Sequence, residues 1–210
     1  MGELRVRGKS LVSAEPDLVI LSFTVKVFDK EYDNCIQNLN KKVEYLRQNI
    51  VACGLNRKDL KTSDFNVYVK TKEDVYTNSY KTVGYEAYHE LHIELPMDRE
   101  LLNKVLEYVA KGHSGTMIDI SFSVSETDSV KKRAMIEAVQ NAKENARILA
   151  SEAGVKLGRI IRIDHGFTEI RVSERRYRAL CEQSPSYNVD IEPMDLGYED
   201  VVTITYEIID

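Results

Sequence analysis

Five alanines at strict four-residue spacing, Ala134, Ala138, Ala142, Ala146 and Ala150, limit what this chain can fold into. Residues four apart lie on one side of an α-helix, a turn above one another. Such a row drifts by about 40° per step, so it winds slowly around the helix and lets a neighbour approach closely along its length. Around the row, Met135, Ala138, Ala142, Ala146, Leu149 and Ala153 recur in steps of three and four, which predicts a single buried face. Asp128 is the expected N-cap, and Gly154 the residue whose left-handed conformation stops the helix. About 26 residues at ~1.5 Å each make a rod near ~39 Å long. A solvated helix has little use for an alanine row, so this one must lie against something broad, most simply a sheet.

The remaining periodicities supply that sheet. Leu4 and Val6 alternate with Arg5 and Arg7, predicting a short edge strand that ends at Gly8. After Glu15-Pro16-Asp17, the residues Val19, Leu21, Phe23, Val25 and Val27 face one way and Ser22, Thr24 and Lys26 the other. A second long helix is predicted from Asp29 to Cys53 through Ile36, Leu39, Val43, Leu46 and Ile50, ended by Gly54. Phe65, Val67 and Val69 begin the next strand, and the polar stretch Thr71 to Thr82 reads as a mobile hairpin loop. The return strand is the clearest: Val83, Tyr85, Ala87, His89, Leu91, Ile93 and Leu95 against Glu86, Tyr88, Glu90, His92 and Glu94. Pro96 ends it. Asp98 is the expected cap of a third helix through Leu101, Leu102, Val105, Leu106 and Val109, closed by Gly112. Ile118, Ile120, Phe122 and Val124 form a strand leading into the alanine helix, and Ile161 and Ile163 suggest another up to Gly166. Arg171 to Gly197 is polar and irregular, and Val202, Ile204, Tyr206 and Ile208 make the last strand. This order predicts an α+β fold, a mainly antiparallel sheet with long helices packed on one face. It is read as one domain over 1–210, or as two intimately packed halves, about 1–96 and 97–210.

Several of these stretches together resemble one family. They are the run Lys132–Gly158 ending Leu149-Ala150-Ser151-Glu152-Ala153-Gly154-Val155-Lys156-Leu157-Gly158, and the opening Arg7-Gly8-Lys9 with Pro16-Asp17 before a strand. A Gly-ended helix leading into Asp59-Leu60-Lys61-Thr62, and the Gly84-Tyr85 strand entry, complete the set. The chain resembles the SIMPL domain family, which includes bacterial envelope proteins. The likeness spans nearly the whole chain and is weakest from about Arg171 to Gly197. It implies an envelope- or stress-related role, ring-like homo-oligomers in some members, and no defined biochemical activity.

Charge and cysteine usage narrow the classes further. A net charge of −5 argues against a nucleic-acid binder, which needs a concentrated basic surface. No stretch approaches the roughly 18 consecutive apolar residues of a membrane span. Met1-Gly2-Glu3-Leu4-Arg5 runs straight into a strand pattern with no secretory leader. The chain as written therefore reads as cytoplasmic, or as periplasmic or envelope-bound if a leader was removed. Cys35 and Cys53 fall eighteen residues apart on one predicted helix, about 27 Å along it, too far to bond. They and the loop residue Cys181 read as free, partly buried thiols.

Candidate chemistry is sparse. His89 and His92, three apart on a strand, point to opposite faces and cannot share an ion. His89 reads as a core histidine with its hydrogen bonds satisfied. His92 lies with Glu86, Glu90 and Glu94 at steps of about 7 Å; a solvated acidic face is the plain reading, and a binding module for a small ligand or a divalent metal on the face 86–94, with Glu90, His92 and Glu94 as the metal candidates, is the alternative. His113 and His165 have no partner in sequence. Gly112 and Gly115 form no phosphate cradle, and no serine has a nucleophile-elbow context. Cys181, flanked by Arg178 and Glu182, is an incidental loop cysteine. Arg171, Arg175, Arg176 and Arg178 make one positive patch, interspersed with Glu169, Glu174 and Glu182, which reads as a mixed solvated loop that could dock an acidic partner. Tyr68, Tyr76, Tyr80, Tyr85 and Tyr88 gather around one predicted hairpin, and tyrosine is favoured at protein interfaces. The expectation is a non-enzymatic protein with no cofactor, a homo-oligomer or a binder of other proteins.

Overall fold

The computed structural model describes residues 2–74, 79–111, 116–166, 177–180 and 191–209. Its elements in chain order are β1 (Gly2–Ala14), β2 (Leu18–Asp29), α1 (Tyr32–Ala52), β3 (Lys61–Asp74), β4 (Ser79–Pro96), α2 (Arg99–Ala110), β5 (Thr116–Ser123), α3 (Thr127–Glu152), β6 (Lys156–His165), β7 (Tyr177–Leu180) and β8 (Leu196–Ile209). Helices with antiparallel sheets give the α+β class. Among the described residues there are two sheets in place of one, of three and five strands. The chain divides into two compact units that interleave in sequence. One unit comprises Met1–Pro16, Ser123–Glu174 and Pro193–Asp210; the other, Asp17–Phe122 and Arg175–Glu192.

The first unit holds the sheet β1-β8-β6, in which β8 pairs antiparallel with both neighbours. Helix α3 lies across it, and the alanine row is what it buries: Val130, Ala134, Ala138, Ala142, Ala146 and Ala150. All but Ala150 pack with Val6, Val12, Val202, Ile204, Tyr198 and Tyr206 from the strands. The wider face expected from helical spacing is corrected, because Met135 and Leu149 stay 42% and 48% exposed and Ala153 lies outside the contact as the C-cap. A small-residue row sets a close approach, and the larger side chains on either flank then point past the strands. Gly8 does not end β1. It sits mid-strand beneath the helix, where an added Cβ would overlap Ala138 O and Ala142 N. The helix begins one residue before Asp128, with Glu126 as N-cap and no capping side chain, while Gly154 takes φ 68° as expected. Strand β8 extends six residues upstream of Val202.

The second unit carries the sheet β3-β4-β2-β5-β7. Alternate residues of β2 and β4, among them Leu21, Phe23, Val25, Leu91 and Ile93, are buried with Leu39, Val43, Leu46 and Ile50 of α1. Helix α2 adds Leu102, Val105, Leu106 and Val109 to that core, and Asp98 caps it as expected by accepting from the N–H groups of Glu100 and Leu101. Helix α1 starts at Tyr32, not Asp29, which closes β2. The stretch expected as a loop from Thr71 to Thr82 is largely strand: β3 and β4 run to Asp74 and from Ser79 as an antiparallel ribbon, with 75–78 outside the described residues. The ribbon carries register shifts between Thr62 and Asp64 and between Lys70 and Thr71, the second beside Gly84, where a Cβ would press on Asp29 O and the Phe28 ring at 2.6 Å. Cys35 and Cys53 are both free and buried.

Candidate functional site

The most organised polar cluster lies on the face of the five-stranded sheet turned away from α1, where β3, β4 and β2 run side by side. Glu86 on β4 stands opposite Tyr68 of β3 and Phe28 of β2. Lys26 is opposite Tyr88, two residues along β4, and Lys70 is opposite Gly84, two residues back. Two lysines therefore reach the carboxylate along opposite diagonals. Lys26 Nζ lies 2.5 Å from one oxygen and Lys70 Nζ 2.5 Å from the other. Tyr88 donates its hydroxyl to Glu86 Oε2 at 2.6 Å. Lys26 also sits 5.0 Å above the Tyr88 ring, and Tyr68 meets that ring edge-on at 5.8 Å.

The charge balance follows from this geometry. Hydrogen bonds from Lys26, Lys70 and Tyr88 hold the Glu86 carboxyl down to about 2, and the same carboxylate raises Lys26 above its ordinary value. Glu86 therefore stays ionised and Lys26 protonated at neutral pH, and neither is poised to move a proton. The Glu86 side chain is only 8% exposed, so the solvated acidic face expected here is corrected at that position. Two neighbouring strands each present a lysine, and burial follows from the pairing.

The other expected site residues do not gather into one place. Glu90, His92 and Glu94 share the outward face with Glu86, but alternate strand residues step by about 7 Å and do not converge. Among the described residues, no three His, Cys, Asp or Glu side chains come together to hold a metal ion. Tyr88 joins the cluster. Tyr85 points to the opposite face, packed against the core and edge-on to Tyr32 at 5.5 Å, so it is separated from Tyr88. Tyr80, near the outer end of the ribbon, is 70% exposed. Tyr76, Arg171, Arg175, Arg176, Cys181 and His113 lie outside the described residues. Arg178 falls on β7, paired in register with Asp119.

Comparison with known proteins places this geometry in context. The SIMPL family model, described as a protein of unknown function (DUF541), matches residues 4–206. The chain belongs to the SIMPL family. It is 24% identical over 213 residues to the 26 kDa periplasmic immunogenic protein of Brucella melitensis, covering 98% of this chain and 84% of that protein. It shows the same identity and coverage against the protein of that name from Brucella abortus. The uncharacterized protein YggE of Escherichia coli is 22% identical over 204 residues, covering 96% of this chain and 81% of its own.

Two polar sites in this SIMPL chain escaped the sequence reading. His89, expected as a satisfied core histidine, bonds Thr62 Oγ1 through Nε2 at 2.8 Å, while its Nδ1 is buried with no partner. Burial pushes its pKa down, and Arg47 adds to the effect. His165, which has no partner in sequence, contacts both carboxylate oxygens of buried Asp200 at 2.9 and 3.1 Å. The strand β6–β8 pairing brings these two together across 35 positions of chain, and no local motif announces it. Among the described residues, no helix is long and apolar enough to cross a membrane.

Proposed function

We propose that this SIMPL protein is a non-catalytic scaffold of the bacterial envelope that self-associates, or binds other proteins, through the β3–β4 ribbon, in an envelope- or stress-related role. The observation that carries this reading is the run of exposed apolar and aromatic side chains along the ribbon: Tyr68 at 53%, Val69 at 57% and Tyr80 at 70%. Large amphipathic rings held on a rigid strand supply contact area at little entropic cost, which is what interfaces select. The clamp of Glu86 by Lys26 and Lys70 fixes the Tyr88 ring in place beside Tyr68, and so preorganises the surface. The periplasmic naming of the Brucella relatives favours the envelope over the cytoplasm.

Light scattering behind a sizing column, run at several concentrations, tests it. The expected mass is a stable multiple of 24.1 kDa that falls when Tyr68→Ser and Tyr80→Ser are combined. A mass of one chain at every concentration would overturn self-association.

A further inference from the structure

Among the described residues, strand β3 is the edge of its sheet, and its sequence is complementary to its own reverse. Between the two register shifts, the regular stretch is Asp64-Phe65-Asn66-Val67-Tyr68-Val69-Lys70. Laid antiparallel on a second copy with Val67 opposite Val67, it sets Asp64 against Lys70 at both ends and Phe65 against Val69 inside them. Asn66 then faces Tyr68. Opposed residues share a face of the joined sheet, so Phe65, Val67 and Val69 extend its apolar side while Asp64, Asn66, Tyr68 and Lys70 extend the polar side. Any other even register moves Lys70 away from Asp64 or opposes an apolar residue to solvent, and an odd one sends partnered side chains to opposite faces.

We infer that the free edge of β3 pairs antiparallel with β3 of a second copy, with Val67 on the two-fold axis. The partner is another molecule of this chain, because the register is self-complementary in charge and in apolar pattern, as an isologous interface requires. The structure is prepared for the exchange. The Phe65 N–H is received by Asp64 Oδ1 at 2.9 Å, an exposed bond within one residue of sequence, and Asn66 Nδ2 donates to the other Asp64 oxygen at 2.5 Å. Both are local contacts of a carboxylate covering an open edge, a common guard against unwanted pairing, and both can be traded for Lys70 of a second copy. Phe65 and Val69, 46% and 57% exposed, would cover each other. This inference rests on the self-association reading above and specifies its interface.

The test is cross-linking in a Cys181→Ser background. Residues directly opposed in an antiparallel pair have Cα atoms about 4.5–5.5 Å apart, within disulfide reach, so Val67→Cys on the axis should give a covalent dimer under mild oxidation. Phe65→Cys should not, because its own copy stands four residues away, about 13 Å along the strand. Asp64→Lys opposes like charges at both ends and should weaken association about tenfold by light scattering. A multimeric mass with no Val67 cross-link, with equal cross-linking at 65 and 67, or with no effect of Asp64→Lys would overturn this interface and leave the scaffold standing. A single-chain mass for the unmodified protein would overturn this interface together with the self-association it rests on.

Discussion

Gly8 of β1 lies directly beneath Ala142 of α3: a Cβ built on the glycine would come within 2.6 Å of the alanine Cβ and overlap the helix backbone at Ala138 O and Ala142 N. Strand and helix touch there backbone to backbone, which only the pairing of glycine with the alanine row allows. Gly8→Ala should therefore cost about 1–3 kcal/mol, read as a lower urea midpoint at unchanged slope. The compensating change Ala142→Gly should recover little of this, because the obstructing atoms belong to the backbone. Full rescue in the double variant would show that side chains set the spacing.

Glu86 should make the protein acid-sensitive. Its carboxyl is held at about 2 in the folded state, against an ordinary value of 4.5. A depressed carboxyl contributes its stability in full above the unfolded value and loses it as pH falls from about 4.5 towards 2. Glu86→Gln should lower stability at pH 7 by about 1–3 kcal/mol, and the gap between the variant and the native chain should close on acidification through that window. Denaturant midpoints at pH 7, 4 and 3 check both the size and the closing.

His89 acts at milder pH. Burial depresses its pKa below the ordinary 6.5, so the folded state holds it neutral while the unfolded state takes up a proton. Its contribution is complete above about pH 6.5 and declines as pH falls below that value. His89→Phe keeps the ring against Phe65 and removes both the titration and the orphaned Nδ1. The variant should lose the stability slope between pH 6.5 and 5, with the Thr62 bond to Nε2 forfeited at all pH values. Thermal melts across that range measure the slope.

How legible all this was depends on the range of the interactions. The strands through Val19–Val27 and Val83–Leu95, the cap at Asp98 and the terminator at Gly154 are set by neighbours within a few residues, and periodicity reads them directly. The alanine row marked the helix that packs closely, but the included Met135 and Leu149 did not belong, because apolarity alone does not distinguish a side chain that fits a contact from one that overhangs it. Gly8 looked like a strand end because the reason for the glycine lies 130 residues away in α3. The Glu86 clamp was unreadable for a related reason. Lys26, Lys70 and Glu86 meet only through the register of three strands, and a lone Glu on an alternating polar face looks solvated. Tyr85 and Tyr88 are close in sequence, but an odd separation on a strand sends them to opposite faces.

The buried thiols offer a last check on the second unit. Cys35 Sγ sits 3.4 Å from Tyr85 O and 3.6 Å from Val27 O, and Cys53 Sγ lies against Lys104 O at 3.8 Å. Burial pushes the Cys53 thiol up, a larger effect than the opposing influence of the nearby Lys104 ammonium. Since the thiolate is the reactive form, both cysteines should resist alkylation for two reasons, exclusion of reagent and lack of ionisation at Cys53. If α1 must lift from the sheet before either reacts, an opening cost of about 3 kcal/mol slows labelling on the order of a hundredfold relative to a free thiol. Peptide mapping after timed alkylation should show Cys35 and Cys53 modified slowly and together, with both rates rising as urea approaches the unfolding midpoint. Fast labelling of Cys53 alone would mean that the C-terminal turn of α1 opens independently of the core it covers.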